Sequence, residues 1–194
     1  MIILASTSVA RQTLLRNAGV SFTAESPNVD ERALASCHPE WRPREIALQL
    51  ARAKAEDVSR RFPEILVIGA DQVLACGDSV FSKPRDQVQC RQQLMALRGN
   101  PHMLISAVVS AYAGHSLWSH VDDAQLTMRH FSEEFLDNYV AAIGAGCTST
   151  VGGYKIEGLG LQLFEKVEGD HFTILGLPLL ALLQHLREKG ELPS

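Results

Sequence analysis

The stretch Met1-Ile-Ile-Leu-Ala-Ser-Thr-Ser-Val-Ala-Arg11 joins a short apolar run to three small hydroxyl residues and an arginine. The run Ile2 to Ala5 predicts a buried strand, and the residues after it predict a helix over Val9 to Asn17. A helix start offers unpaired N–H groups and the positive end of the helix dipole, so a phosphate could lie against Ser6 to Ser8 near Arg11. On this segment alone, helix capping by the hydroxyls is the favoured interpretation.

The composition is that of an ordinary globular protein. The 194 residues are 46% hydrophobic and 21% charged, with a formal net charge of −4, which predicts one domain over residues 1–194. No polybasic surface and no membrane-spanning segment are present, so we expect neither nucleic acid nor membrane as partner. The cysteines show no metal-ligand spacing, and the N-terminal apolar run is too short for a signal peptide, which favours a cytoplasmic protein without zinc.

Strand patterns alternate with helix patterns, which predicts an α/β fold: a sheet with helices packed on it. Strands are predicted for Ile65 to Ala70, Met103 to Tyr112, Leu117 to Met128 and Leu161 to Val167. Helices are predicted to begin at Pro43, at Asp86 and at Ser132, with a last one over Leu179 to Arg187. The glycine-rich segment Gly144 to Gly153 is interpreted as a mobile loop.

One acid follows a predicted buried strand directly. In open α/β sheets ligands bind beyond the carboxyl ends of strands, so Asp71 is the best single catalytic candidate. Together with Glu31 it could hold Mg²⁺, which takes one or two carboxylates, waters and phosphate oxygens. Arg11, Lys54 and Lys83 would then neutralise a polyphosphate. Taken singly, each of these residues is better interpreted as a turn residue or a solvated charge, and only the whole set points to chemistry.

The whole set resembles the Maf family. The matching motifs, in order, are Leu4-Ala-Ser-Thr-Ser-x-x-Arg11, Val29-Asp-Glu31, Leu50-Ala-x-x-Lys54-Ala55, Gly69-Ala-Asp-Gln72, Lys83-Pro84, Leu97-x-Gly99-x-x-His102, Tyr154-Lys-Ile-Glu-Gly158 and Leu175-Gly-Leu-Pro178. They cover nearly the whole chain. The resemblance implies an extended mixed sheet flanked by helices, two lobes around a cleft as in the inosine triphosphate pyrophosphatases, and a homodimer.

The resemblance also implies an activity: hydrolysis of a nucleoside triphosphate to the monophosphate and pyrophosphate, with a divalent metal such as Mg²⁺ or Mn²⁺. Asp71 matches the family's proton acceptor and Glu31 its metal-associated acid. Polar residues around the triphosphate are matched by Ser6, Arg11, Lys54 and Lys83. Asp71 would orient and deprotonate the water that attacks the α-phosphorus.

Base choice in the family depends on residues that match Ala10, Gln72 and Glu157. Gln72 and Glu157 resemble the branch that acts on 7-methyl-GTP rather than the branch that acts on dTTP and UTP. A carboxylate at position 157 could accept both N1–H and N2–H of guanine. Ala10 departs from the larger residue of that branch, as do Val9 from a proline and Ser82 from a glycine, and these changes leave substrate identity open.

Two alternatives compete with the specific enzyme. A broad house-cleaning pyrophosphatase acting on UTP, dTTP or other non-standard nucleotides fits the small Ala10. A non-catalytic nucleotide-binding regulator of septum formation is the alternative of another class. His102 is interpreted as a hydrogen-bonded structural histidine, while Tyr154 and Lys155 are possible binders in a base pocket or lid.

Overall fold

A computed structural model describes residues 1–193. Its strands are β1 (Ile2–Ala5), β2 (Phe22–Ala24), β3 (Val67–Cys76), β4 (Ser79–Phe81), β5 (Pro101–Tyr112), β6 (His115–Met128) and β7 (Phe164–Glu168). Its helices are α1 (Val9–Asn17), α2 (Glu31–Ser36), α3 (Pro43–Arg61), α4 (Gln87–Leu97), α5 (Glu133–Ile143), α6 (His171–Ile174) and α7 (Leu179–Glu188). No helix among these residues combines the length and the apolar composition needed to cross a membrane.

The strands form one mixed sheet. Their order is β2-β1-β3-β5-β6-β7, and β4 pairs with β3. β1 runs parallel to both β2 and β3, whereas β4 is antiparallel to β3 and β7 is antiparallel to β6. The predicted α/β class with an extended mixed sheet is therefore confirmed.

The chain divides into two compact units. The first contains Met1–Gln72, Ile105–Asp123 and the chain from Asp170 onward; the second contains Val73–Leu104 and Ala124–Gly169. The predicted lobes around a cleft and the single domain over residues 1–194 stay predictions.

In the first unit, β1 is buried on both faces, as expected of a strand with parallel neighbours on either side. Ile2 and Leu4 pack with residues of α1 and α7, including Leu15. Ile3 on the opposite face packs with Val58 of α3. The helices on the two faces thus hold the carboxyl end of β1 in a fixed position.

In the second unit, α4 and α5 both contribute leucines to the buried core. Leu94 and Leu97 of α4 and Leu136 of α5 are fully buried. Arg91 on α4 joins the two helices at the surface by ion pairs with Glu133 (2.8 Å) and Asp137 (2.6 Å).

Several predicted boundaries are confirmed. α1 spans Val9–Asn17, α3 begins at Pro43, and the side chains of Asp86 and Ser132 cap α4 and α5. These elements carry strong local signals, namely caps, an initial proline and apolar spacing.

The predicted end of β3 is wrong. The strand continues five residues beyond Asp71, to Cys76. Its extension finds hydrogen-bond partners in the short strand β4, which pairs Leu74 with Phe81 and Cys76 with Ser79. Asp71 therefore lies in the middle of a strand and not at its end.

The predicted last strand begins too early in the chain, and the predicted loop contains two 3₁₀ turns, while its mobility stays a prediction. The two turns are Gly144–Ser149 and Val151–Gly153. Within the first, the hydroxyls of Thr148 and Ser149 donate to carbonyls three residues back (3.1 and 2.6 Å). Leu159–Leu163 is a further 3₁₀ turn, so the strand begins only at Phe164.

Candidate functional site

A turn of hydroxyl residues connects β1 to α1. The backbone N–H of Ser8 donates to Oγ of Ser6 (3.2 Å), and that of Arg11 donates to Oγ of Ser8 (3.4 Å). Ser8 is thus a helix cap, as the structural interpretation predicts. Ser6 is buried and its hydroxyl also accepts from Nη1 of Arg11 (3.4 Å), so it joins the turn to a cation.

Arg11 is anchored on its other side by the backbone. Its Nε donates to the carbonyl oxygen of Gly176, at 2.8 Å. Burial lowers the pKa of the guanidinium, while the carboxylates of Asp71 and Glu31 raise it. A guanidinium stays protonated in proteins, so Arg11 is a fixed positive charge near these two acids.

Lys54 connects the two predicted acids. Its Nζ lies 2.5 Å from Oδ1 of Asp71 and 2.8 Å from Oε1 of Glu31. The side chains of Lys54 and Asp71 are both 8% exposed, whereas that of Glu31 is 52% exposed. Lys54 thus forms a buried ion pair with Asp71 and also contacts Glu31, which solvent can reach. Lys54 is therefore not a solvated surface charge.

Burial raises the pKa of Asp71, against the lowering effect of Lys54 and Arg11. A carboxylate with a raised pKa is a stronger base than an ordinary one. Asp71 therefore combines a fixed position, two neighbouring cations and increased basicity.

Gly69 explains how Lys54 reaches Asp71. A Cβ at Gly69 would lie 2.3 Å from the carbonyl oxygen of Ala51 and 2.6 Å from the nitrogen of Ala55. The backbone of α3 therefore lies directly on β3 at this glycine. Asp71 is two residues further along the strand and on the same face, beside Lys54.

Gln72 points to the other face of β3. Its Nε2 donates to Oγ of Ser106 (3.1 Å) and to the carbonyl oxygens of Thr173 (3.1 Å) and Ile174 (2.9 Å). Ala10, also predicted at the base end of the site, is half-buried in the first turn of α1.

Two predicted residues belong to the second unit. Lys83 is exposed between β4 and α4, and Glu157 is exposed in the turn before Leu159. The first unit brings together Ser6, Arg11, Glu31, Lys54 and Asp71. That Lys83 and Glu157 act with this cluster stays a prediction.

His102 and Tyr154 form a second buried polar pair, within the second unit. Nε2 of His102 lies 2.8 Å from the hydroxyl of Tyr154, and Phe164 packs against both rings. Burial lowers the pKa of His102 to about 4 and raises that of Tyr154. Both side chains are neutral near pH 7, as suits a structural histidine.

The residues present fit a divalent cation that a substrate helps to hold. No group of three or more His, Cys, Asp or Glu side chains with metal-binding geometry occurs within residues 1–193. Glu31 and Asp71 share one ammonium and so lie close to each other. Mg²⁺ usually takes one or two carboxylates and completes its shell with waters and phosphate oxygens.

Sequence patterns missed the residues that support this cluster. Ser106 and Thr173 are fully buried and hydrogen-bonded to Gln72, but neither lies near it in the chain. Gly69 and Gly176 stand inside recognised motifs, yet their roles depend on which backbone lies against them. Only the glycines themselves could have signalled a close approach.

The mixed sheet and its helices define an α/β protein. Its first unit contains a charged site, in which a buried lysine–carboxylate pair lies beside a hydroxyl-rich helix start. The chain belongs to the Maf family: the family model described as Maf-like protein matches residues 1–189. The predicted resemblance is confirmed.

Relatives match nearly the full length. A 7-methyl-GTP pyrophosphatase of Rhizobium johnstonii is 51% identical over 191 residues, covering 97% of this chain and 96% of that protein. A nucleoside triphosphate pyrophosphatase of Paramagnetospirillum magneticum is 52% identical over 191 residues, covering 97% and 98%. A 7-methyl-GTP pyrophosphatase of Brucella abortus is 47% identical over 190 residues, covering 97% and 96%.

Proposed function

We propose that this protein is a nucleoside triphosphate pyrophosphatase. Water attacks the α-phosphorus of the nucleotide, and the bond to the bridging oxygen breaks to give the monophosphate and pyrophosphate. The observation that carries this proposal is the buried Asp71, paired with Lys54 and near both Glu31 and Arg11. The names of the relatives from Rhizobium johnstonii and Paramagnetospirillum magneticum support it.

Asp71 acts as the general base. Its Oδ1 is held by Lys54, which leaves Oδ2 to accept a proton from the attacking water. The raised pKa makes this transfer more favourable than it would be for an exposed aspartate. Lys54 favours the ionised form of Asp71 before the reaction and holds the carboxylate oriented as it accepts the proton and becomes neutral.

The triphosphate is bound by cations and by the start of α1. Arg11, held by Gly176 and Ser6, offers guanidinium N–H groups, and Lys54 adds an ammonium. Ser6 and Lys83 are proposed as further phosphate ligands from the family resemblance.

The cofactor of the proposed enzyme is a divalent cation, Mg²⁺ or Mn²⁺. Glu31 and Asp71 would hold it. When bound, it would supply neutralisation of phosphate charge and polarisation of the water.

The proposed substrate is a modified nucleotide such as 7-methyl-GTP. Glu157 is a carboxylate that can accept from two N–H groups of guanine, and Gln72 is proposed as a second reader of the base. Ala10 leaves space beside the start of α1. A cationic methylated purine gains further from a neighbouring negative charge.

We also propose a homodimer in the cytoplasm. The homodimer rests on the family resemblance alone and is checked by sedimentation of the purified protein. The cytoplasm is supported by the four cysteines, Cys37, Cys76, Cys90 and Cys147, which are all free thiols.

The decisive experiment measures pyrophosphate release from 7-methyl-GTP, GTP, UTP, dTTP, CTP and ITP, with Mg²⁺ or Mn²⁺. Asp71→Asn serves as the inactive control, because it keeps the shape of the side chain and loses the base. Selective turnover of 7-methyl-GTP that depends on Asp71 is the expected result.

Other outcomes point to the alternatives. Similar turnover of UTP, dTTP and other nucleotides would favour a broad house-cleaning pyrophosphatase, which the small Ala10 allows. Binding of nucleotides without any cleavage would favour a non-catalytic regulator of septum formation and would overturn the proposed activity.

A further inference from the structure

One turn of the first unit contacts two of the proposed ligand-binding side chains. The turn runs from Thr173 to Gly176, at the end of α6. The carbonyl oxygen of Gly176 accepts from Nε of Arg11 (2.8 Å). The carbonyl oxygens of Thr173 and Ile174 accept from Nε2 of Gln72 (3.1 and 2.9 Å).

Thr173 is the fixed point of this turn. Its carbonyl oxygen accepts from Oγ of Ser106 (2.8 Å) and from the N–H of Gly176 (3.0 Å). Its N–H donates to Oδ2 of Asp170 (2.8 Å), and its hydroxyl donates to Oδ2 of Asp122 (2.9 Å). Thr173 and Ser106 are both fully buried. Interior hydrogen bonds of this kind hold one arrangement, because a displaced group would lose its partners.

Gly176 lies against the side chains of both Arg11 and Gln72. It has a φ of +96°, and a Cβ on it would lie 3.5 Å from Nη2 of Arg11 and 3.7 Å from Cδ of Gln72. The backbone of the turn is therefore in close proximity to the guanidinium and to the carboxamide. A shift of the turn would move the Gly176 carbonyl on which Arg11 rests.

The turn also fixes which way the Gln72 carboxamide faces. Backbone carbonyls can only accept hydrogen bonds, so the group that faces those of Thr173 and Ile174 must be the NH₂. Oε1 of Gln72 makes no hydrogen bond within residues 1–193 and is the atom left for a ligand.

We infer that Ser106 and Thr173 are positioning residues for substrate binding: they hold the Thr173–Gly176 turn, which in turn holds Arg11 on the phosphates and presents Oε1 of Gln72 as an acceptor. This inference rests on the proposed function. Neither of these buried hydroxyl residues touches substrate, but both affect the affinity for polyphosphate through the turn.

The chain offers a matched control for the test. Ser106 and Ser110 are both fully buried on β5, and each hydroxyl makes a short hydrogen bond, the one of Ser110 to Nε2 of His185 (2.8 Å). Ser106→Ala and Ser110→Ala therefore remove the same group from the same strand. Only the first removes a contact to the turn.

The probe is inorganic tripolyphosphate with Mg²⁺, titrated by calorimetry, because it carries the phosphates without base or sugar. We expect Ser106→Ala to weaken tripolyphosphate binding about tenfold and to raise KM for nucleotides by a similar factor. Ser110→Ala is expected to lower the melting temperature comparably and to leave both constants unchanged. Equal tripolyphosphate affinities in the two variants would overturn the inference.

Thr173 provides a second test that does not depend on how Ser106→Ala folds. Thr173→Val keeps the shape but loses the hydroxyl bond to Asp122, whereas Thr173→Ser keeps the hydroxyl. We expect weaker tripolyphosphate binding in the valine variant and recovery in the serine variant. Equal binding by both would contradict the positioning role.

Measurements on the wild-type protein distinguish a failure of this inference from a failure of the proposed function. If it binds no tripolyphosphate and cleaves no nucleotide, the proposed function and the inference both fail. If it does both and the serine and threonine variants behave like their controls, only the positioning role fails.

Discussion

Two buried polar pairs, Lys54–Asp71 in the first unit and His102–Tyr154 in the second, have similar burial and opposite chemistry. Lys54 and Asp71 form an ion pair at 2.5 Å that continues to the exposed Glu31. His102 and Tyr154 lie 2.8 Å apart, and burial shifts both pKa values towards the neutral forms. The first pair keeps charge in the interior and the second avoids it.

The difference shows how a motif residue that carries chemistry can be separated from one that supports the fold. Burying an ion pair is costly, and replacing it by apolar residues often stabilises a protein. A neutral hydrogen-bonded pair carries no such cost. Charge kept beside an acid that solvent can reach is therefore better explained by a reaction than by stability.

The largest expected effect comes from breaking the charged pair. Lys54→Met leaves the buried carboxylate of Asp71 without its ammonium, and loss of one partner of a buried ion pair costs about 3–5 kcal/mol of stability. Activity should fall by at least about a hundredfold, because the base loses its orientation. Thermal unfolding and pyrophosphate release measure the two effects.

The double variant Lys54→Met with Asp71→Asn is the control. It removes both the ammonium and the carboxylate of the buried pair, so stability should recover in part, while activity should be lost because the base is gone. A double variant less stable than Lys54→Met alone would contradict the view that the unpaired carboxylate of Asp71 causes the loss of stability.

Acid pH tests the neutral pair. The pKa of His102 is about 4 in the folded protein, below the value of about 6.5 in an unfolded chain. Between these values the unfolded state binds a proton that the folded state does not, so stability should fall as the pH is lowered from 6.5 to 4. The loss amounts to about 2–3 kcal/mol.

His102→Phe isolates this contribution, since phenylalanine cannot titrate. The melting temperature of the wild type should fall more steeply than that of the variant on acidification. Parallel curves would show that His102 keeps an ordinary pKa.

A smaller effect is expected from removing one side of the neutral pair. Tyr154→Phe leaves His102 without its hydrogen-bond partner and should lower the free energy of unfolding by about 1–2 kcal/mol. The double variant with His102→Phe should recover part of this loss. Tyr154→Phe should keep kcat within a few-fold of the wild type; a kcat loss as large as that of Lys54→Met would erase the contrast between the pairs.

The smallest expected change concerns base choice. Glu157→Gln should reduce kcat/KM for 7-methyl-GTP relative to UTP by about tenfold, because one acceptor becomes a donor. The ratio of the two kcat/KM values is the measurement. An unchanged ratio would remove Glu157 from base recognition and leave the Asp71 chemistry intact.

The sequence predicted what depends on neighbours along the chain. The strand at Ile2, the helix at Val9 and the caps at Asp86 and Ser132 each carry a local pattern, and the structure confirms them. The sequence also identifies Asp71 and Lys54 as site residues, but it predicts Asp71 at a strand end, where it does not lie.

What could not be predicted depends on residues far apart in the chain. Gln72 and Thr173 are 101 positions apart, and Gln72 and Ser106 are 34 apart. No sequence periodicity predicts such contacts: the first depends on where the helix α6 lies against β3, and the second on β5 being the neighbour of β3 in the sheet. The strand β4, which extends β3 past Asp71, was missed because three residues give too short a pattern.

Gly69 also constrains how the sequence can change. Because α3 rests on bare strand backbone there, the gap between helix and strand is spanned by a lysine side chain of one particular length. A methyl group at position 69 would lift the helix and leave the ammonium short of Asp71. Positions 54, 69 and 71 are therefore structurally coupled. A substitution at any one of them is expected to be tolerated only together with a compensating substitution at another.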